Sequence, residues 1–196
     1  KGEKVCTLGP IIHNAQLVDD LKSKGVKIID DVSQSPEGYT VVVRTHGVEK
    51  EVVDELENRK IVYVNATCPF VTKIHNIVKK QDENTVVLIA GDCNHPEVLG
   101  IRSFCNGESF VFKNEKELSN ILENHPELSE KSVICVSQTT FSLKEQKKCK
   151  KILEKVCTNC KIFDTICNAT ADRQSEADEI SKKSDAMLII GGRHSS

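Results

Sequence analysis

The sequence has 196 residues, a length that builds one or two domains with a real buried core rather than a disulfide-stapled miniature. Its 27 Lys and Arg against 29 Asp and Glu leave a net charge of −2, so no cationic excess is available to neutralise a polynucleotide, and nucleic acid is excluded as the main partner. No apolar run approaches the roughly 18 residues of a bilayer span, and Lys1-Gly-Glu-Lys4 leads into no signal-type apolar stretch, so the expectation is a cytoplasmic protein without a membrane partner. The nine cysteines are an odd number that cannot pair completely, which points to a reducing compartment in which some thiolates serve as ligands. Both ends read as cut: the first residue is Lys1 rather than Met, and Ser196 closes a strand-end loop.

Short apolar, β-branched runs recur at residues 5–8, 26–29, 40–43, 61–64, 85–90, 109–112, 132–136, 161–163 and 186–190, and each fits a buried strand. Helical patterns separate most of them. They run over 15–24 closed by Gly25, over 48–58, over 70–81, over 115–123 after a capping Asn114, and over 143–156 after Ser142. Strands that are apolar almost throughout, alternating with helices, predict an α/β fold with parallel sheet.

An internal repeat emerges when the strands are aligned. Val62-Tyr-Val-Asn-Ala-Thr-Cys68 and Lys161-Ile-Phe-Asp-Thr-Ile-Cys167 both read as strand, small polar residue, cysteine, then helix. Four predicted strands precede the first cysteine and four more precede the second. The expected organisation is therefore one α/β unit over 1–67, a second over 68–166, and the start of a third over 167–196.

In open parallel sheets, ligands bind beyond the carboxyl ends of the strands, where loops meet helix N-termini. The polar residues follow that rule: the loops carry His13, Arg44-Thr-His46-Gly, Thr67-Cys68-Pro, Asp92 to Glu97, Ser137-Gln-Thr139-Thr, Asp164 to Cys167, and Gly191 to Ser196. Such convergence points to one shared site. Cys68 and Cys167 open helices, where the dipole favours a thiolate suited to zinc or to an iron–sulfur cluster. Imidazoles and hydroxyls beside helix N-termini suit phosphate or diphosphate. Neither a Walker loop nor a GxGxxG is present, so a nucleotide is not implied.

Read together, Leu8-Gly-Pro-Ile-Ile-His-Asn14, Arg44-Thr-His-Gly-Val48, Ala66-Thr-Cys-Pro-Phe-Val-Thr-Lys-Ile-His75, His95-Pro-Glu-Val-Leu-Gly100, Ser137-Gln-Thr-Thr140, Ala169-Thr-Ala-Asp-Arg-Gln174 and Gly191-Gly-Arg-His-Ser-Ser196 resemble the 4-hydroxy-3-methylbut-2-enyl diphosphate reductase family, iron–sulfur enzymes of the methylerythritol phosphate route to isoprenoids. The resemblance covers essentially the whole chain. It implies a trefoil of pseudo-repeated α/β units with parallel sheets around a central cavity, the third unit truncated here.

The resemblance also implies roles. Cys68 and Cys167 would ligate a 4Fe-4S cluster, with the third cysteine ligand upstream of residue 1. His13, His46 and His95, with Ser195 and Ser196, would hold the substrate diphosphate. Glu97 would deliver protons, with Thr139 beside the substrate hydroxyl. Ferredoxin or flavodoxin would donate electrons. Two thiolates fall short of the three that such a cluster uses, so residues 1–196 alone are expected to be inactive. The rival readings are a zinc hydrolase and a non-catalytic diphosphate-binding protein. Cys157-x-x-Cys160 lacks a second pair and reads as incidental, and His75 reads as a capping or solvated residue.

Overall fold

In the computed structural model, which describes residues 4–12 and 14–190, the chain forms two four-stranded, wholly parallel sheets with the orders β2-β1-β3-β4 and β6-β5-β7-β8. The first sheet is built from β1 (Val5–Leu8), β2 (Lys27–Ile29), β3 (Thr40–Val43) and β4 (Tyr63–Asn65), with α1 (Ala15–Ser23) and α2 (Lys50–Asn58) in the crossovers. After α3 (Pro69–Lys79) come β5 (Val86–Ala90), α4 (Pro96–Ser103), β6 (Ser109–Phe112), α5 (Glu115–Asn124), β7 (Val133–Ser137), α6 (Leu143–Val156), β8 (Cys160–Ile162) and α7 (Asn168–Lys183). The two sheets thus share one strand order, as the repeat requires.

Strands β5 and β7 are buried at every residue because helices cover both faces of the second sheet. Val86, Leu88, Ala90, Val133 and Cys135 point to a core shared with α5 and α6, which contributes Leu118, Leu122, Cys149 and Leu153. Their alternates Val87, Ile89, Ile134 and Val136 pack against Ile74 and Val78 of α3 and Val98 and Ile101 of α4. In the first sheet Cys6, Leu8, Val41 and Val43 meet Leu56 of α2.

Local chemistry sets the helix ends. The side chains of Asn14, Asn114 and Ser142 accept the backbone N–H of Leu17, Glu117 and Glu145. Helix α1 stops where Gly25, at φ +89°, donates to the Lys22 carbonyl while Val26 donates back to Leu21, a reversal that suits glycine.

Two helices carry no apolar stripe that periodicity reveals: α4 is short and α7 buries no residue. The expected strand at 186–190 does not form. Leu188, Ile189 and Ile190 are 84%, 80% and 87% exposed, and among the described residues no neighbouring strand offers a ladder to this segment.

Candidate functional site

The carboxyl ends of both sheets gather the polar residues expected there. In the second sheet the β5–α4 connection is pinned by Gln138, whose Oε1 accepts the Asp92 N–H at 3.1 Å. Pro96 opens α4 and His95 caps it, its Nδ1 accepting the Glu97 N–H at 3.1 Å. A neutral imidazole held this way carries its proton on Nε2 and presents a donor.

Glu97 is 1% exposed, yet its carboxyl has two partners on one residue: Thr139 donates its N–H to Oε1 at 2.6 Å and its Oγ1–H to Oε2 at 2.7 Å. Burial pushes the Glu97 carboxyl above its ordinary value, and the two Thr139 hydrogen bonds only partly oppose that. Glu97 and Thr139 therefore meet although they are 42 residues apart.

His46, in the loop after β3, approaches His95 edge to face with ring centroids 5.6 Å apart, so one imidazole from each unit converges on a common point. The loop that carries His46 is tied down on three sides. Thr45 donates its N–H and its Oγ1–H to the Ile11 carbonyl at 3.2 and 3.0 Å, and Arg44 Nε donates to the Gly47 carbonyl at 3.1 Å. The Thr45 carbonyl accepts the Cys68 N–H at 2.9 Å.

Cys68 and Cys167 stand at the N-termini of α3 and α7, both half-buried. The Cys68 side chain makes no capping hydrogen bond, whereas Cys167 Sγ accepts the Thr170 N–H at 3.3 Å and lies 3.0 Å from Thr170 Oγ1. Thiols at helix N-termini fit a thiolate-bound metal group in kind. In number they are two, and among the described residues no three His, Cys, Asp or Glu gather to hold a metal ion. His13, Ser195 and Ser196 lie outside the described residues.

The remaining cysteines are mostly core sulfur. Cys135, Cys149 and Cys157 are buried in one cluster, with Cys160 packed against it. Burial raises the Cys149 and Cys160 thiols to about 11, which suppresses the reactive thiolate.

His75 is neither a cap nor a solvated side chain. It stacks on Phe104 with centroids 4.6 Å apart and presses against Gly47 and Gly100, where added Cβ atoms would meet its ring at 3.0 and 3.4 Å. Helical geometry turns position 75 toward α4, which periodicity alone did not show. Thr45 and Gln138 escaped notice as individuals, although the motifs around them were recognised.

Two parallel α/β sheets with imidazoles, helix-start thiols and a buried carboxyl at their strand ends define an α/β protein whose ligand site lies where the strands meet the helix N-termini. The comparisons with known proteins make the assignment: the profile of the LytB protein family matches residues 1–196, and the chain belongs to that family. It is 40% identical over 195 residues to the 4-hydroxy-3-methylbut-2-enyl diphosphate reductase of Alkaliphilus oremlandii, covering 98% of this chain and 67% of that protein. A relative of the same name from Clostridium acetobutylicum is 40% identical over 197 residues, 99% of this chain and 30% of that protein.

A solved (E)-4-hydroxy-3-methyl-but-2-enyl diphosphate reductase superposes with a TM-score of 0.73 at 35% identity, over 98% of this chain and 67% of that one. The corresponding reductase of Plasmodium falciparum shares the fold, with a TM-score of 0.86 at 24% identity over 100% of this chain and 61% of that one. The fold is the family's trefoil of α/β units, and the described residues form two of its sheets. No helix among them is long and apolar enough to cross a membrane.

Proposed function

We propose that the full-length protein is a cytoplasmic enzyme that removes the allylic hydroxyl of 4-hydroxy-3-methylbut-2-enyl diphosphate, giving isopentenyl and dimethylallyl diphosphate. The observation that carries this reading is the buried Glu97 carboxyl clamped by Thr139 beside the His46–His95 pair, in a family whose named members are this reductase.

The reaction consumes two electrons and two protons: one proton leaves with the hydroxyl oxygen as water, and the other ends on carbon. Glu97 suits the proton work because burial favours its neutral form. A protonated Oε2 donates to Thr139 Oγ1, whose own proton then turns to the substrate oxygen, while the Thr139 N–H keeps Oε1 in place. Protonation at either end of the allylic skeleton gives the two products. His46 and His95, with His13, Ser195 and Ser196, would bind the diphosphate and orient the hydroxyl toward Thr139.

Cys68 and Cys167, with a thiolate from outside residues 1–196, would hold a 4Fe-4S cluster that supplies single electrons and an open iron as Lewis acid. Its electrons would come from ferredoxin or flavodoxin.

Anaerobic reconstitution of the full-length protein is expected to give a brown protein with about four irons. Glu97→Gln is expected to lower turnover by roughly 10²- to 10⁴-fold while the cluster spectrum and substrate affinity persist. Stoichiometric zinc without iron overturns the reading, and full activity of Glu97→Gln overturns the proton assignment.

A further inference from the structure

The two sheets end their third strands in the same way, and one of the two matching residues has no role yet. Thr139 stands two positions beyond Ser137, the end of β7, and Thr45 stands two positions beyond Val43, the end of β3. Each turns both of its donors, N–H and Oγ1–H, onto a single acceptor group in the connection that follows the first strand of its own sheet. For Thr139 that group is the Glu97 carboxyl, at 2.6 and 2.7 Å; for Thr45 it is the Ile11 carbonyl, at 3.2 and 3.0 Å. Each also offers its carbonyl to the N–H of a helix-start cysteine, Cys167 at 3.0 Å and Cys68 at 2.9 Å. The same three-point clamp therefore occurs twice, and only its acceptor differs.

That difference assigns the work. A carboxyl can gain and lose a proton, so the clamp on Glu97 both orients and titrates. A peptide carbonyl cannot, so the clamp on Ile11 only orients. What it orients is the loop leading from β1 toward α1, held against the loop that carries His46. Arg44 and Gly47 brace that second loop from within, Arg44 Nε donating to the Gly47 carbonyl and the Gly47 N–H to the Arg44 carbonyl at 3.0 Å. Gly47 sits at φ +78° with the His75 ring against it, so the turn has little room to relax.

We propose that Thr45 is a positioning residue for anion binding, the first-sheet counterpart of Thr139: through Oγ1 it fixes the strand-end loops of β1 and β3 in the spacing that a diphosphate requires. The inference rests on the reductase reading for the identity of the anion. The first-sheet clamp then serves binding and the second-sheet clamp serves proton transfer, so damage to the two clamps separates into different kinetic constants.

The test uses the full-length, cluster-loaded protein with inorganic pyrophosphate as the calorimetric probe. Thr45→Val keeps the shape and removes Oγ1. It is expected to raise the pyrophosphate Kd and the substrate KM roughly 3- to 10-fold, the worth of one part-buried hydrogen bond, with kcat within about 2-fold and iron content and electron paramagnetic resonance spectrum unchanged. Thr45→Ser, which restores the hydroxyl, is expected to restore affinity. By contrast, Thr139→Val is expected to depress kcat.

Unaltered pyrophosphate affinity in Thr45→Val overturns the proposal, as does a fall in kcat with KM unchanged, or a Thr45→Ser protein as weak as Thr45→Val. Should Thr45→Val fail to fold, Thr45→Ser must still bind pyrophosphate like the unsubstituted protein, and a loss there overturns it. An unsubstituted protein that ignores pyrophosphate overturns it outright. An unsubstituted protein that binds pyrophosphate but lacks reductase turnover removes the reductase reading instead, and the comparison of variants still decides on Thr45.

Discussion

At Glu97 two opposed effects meet, and the structure shows which prevails. Burial deprives the carboxylate of water, while the Thr139 N–H and Oγ1–H stabilise the charge; burial is the larger effect, so the neutral form is favoured. The sign of the linkage follows. A folded-state value above the ordinary 4.5 means that the fold holds the proton more tightly than the unfolded chain does. The contribution is complete below pH 4.5 and is lost as pH rises toward the raised folded value. Denaturant titrations of Glu97→Gln and the unsubstituted protein are expected to diverge in the variant's favour as pH climbs from 4.5 to 7. A difference in stability that is flat with pH would show that this carboxyl titrates normally. The same reasoning covers the core thiols: burial keeps Cys149 and Cys160 protonated and inert.

Among the elements, the caps and the central strands were the most legible, because their signals are local. Asn114 and Ser142 were readable as helix starts since a short polar side chain before an apolar period satisfies the first free N–H groups. Asn114→Ala is expected to cost about 1 kcal/mol of stability, measurable by urea unfolding. Strands β5 and β7 were readable because burial on both faces makes the run continuously apolar. Leu88, fully buried on the α5–α6 side of β5, has no room to lose volume, and Leu88→Ala is expected to destabilise by about 2–5 kcal/mol in the same assay. Helices α4 and α7 escaped periodicity for opposite reasons. In α4, eight residues carry a buried glutamate and a buried glycine among the apolar ones, and α7 is polar all round. The segment 186–190 has the composition of a strand but no neighbouring strand among the described residues, so β-propensity proposes a strand and only pairing makes one.

For the whole molecule, the seam between the two sheets is held by contacts that no local pattern announces. His75 of α3 lies between Phe104 and the backbones of Gly47 and Gly100, its Nε2 buried with no hydrogen-bond partner among the described residues, and burial lowers its pKa to about 4. A folded value of about 4 beneath the ordinary 6.5 means that the neutral ring is favoured in the fold. Its stabilisation is present above pH 6.5 and is lost as pH falls toward 4. The melting temperature of the unsubstituted protein is expected to fall across that window more steeply than that of His75→Phe, and parallel curves would contradict this reading. The sequence by itself determined the α/β alternation, the four-strand repeat and the concentration of polar residues at strand ends. Each follows from local chemistry: side-chain period, β-branching, capping and the helix dipole. Its motifs also carried the family resemblance. Only the tertiary structure decided that Thr139 closes on Glu97, that Thr45 repeats that clamp on a peptide carbonyl, and that His46 meets His95 across the seam. These partners are remote in sequence, so which of them meet depends on sheet order and helix packing, and those are set by the shape of the whole core.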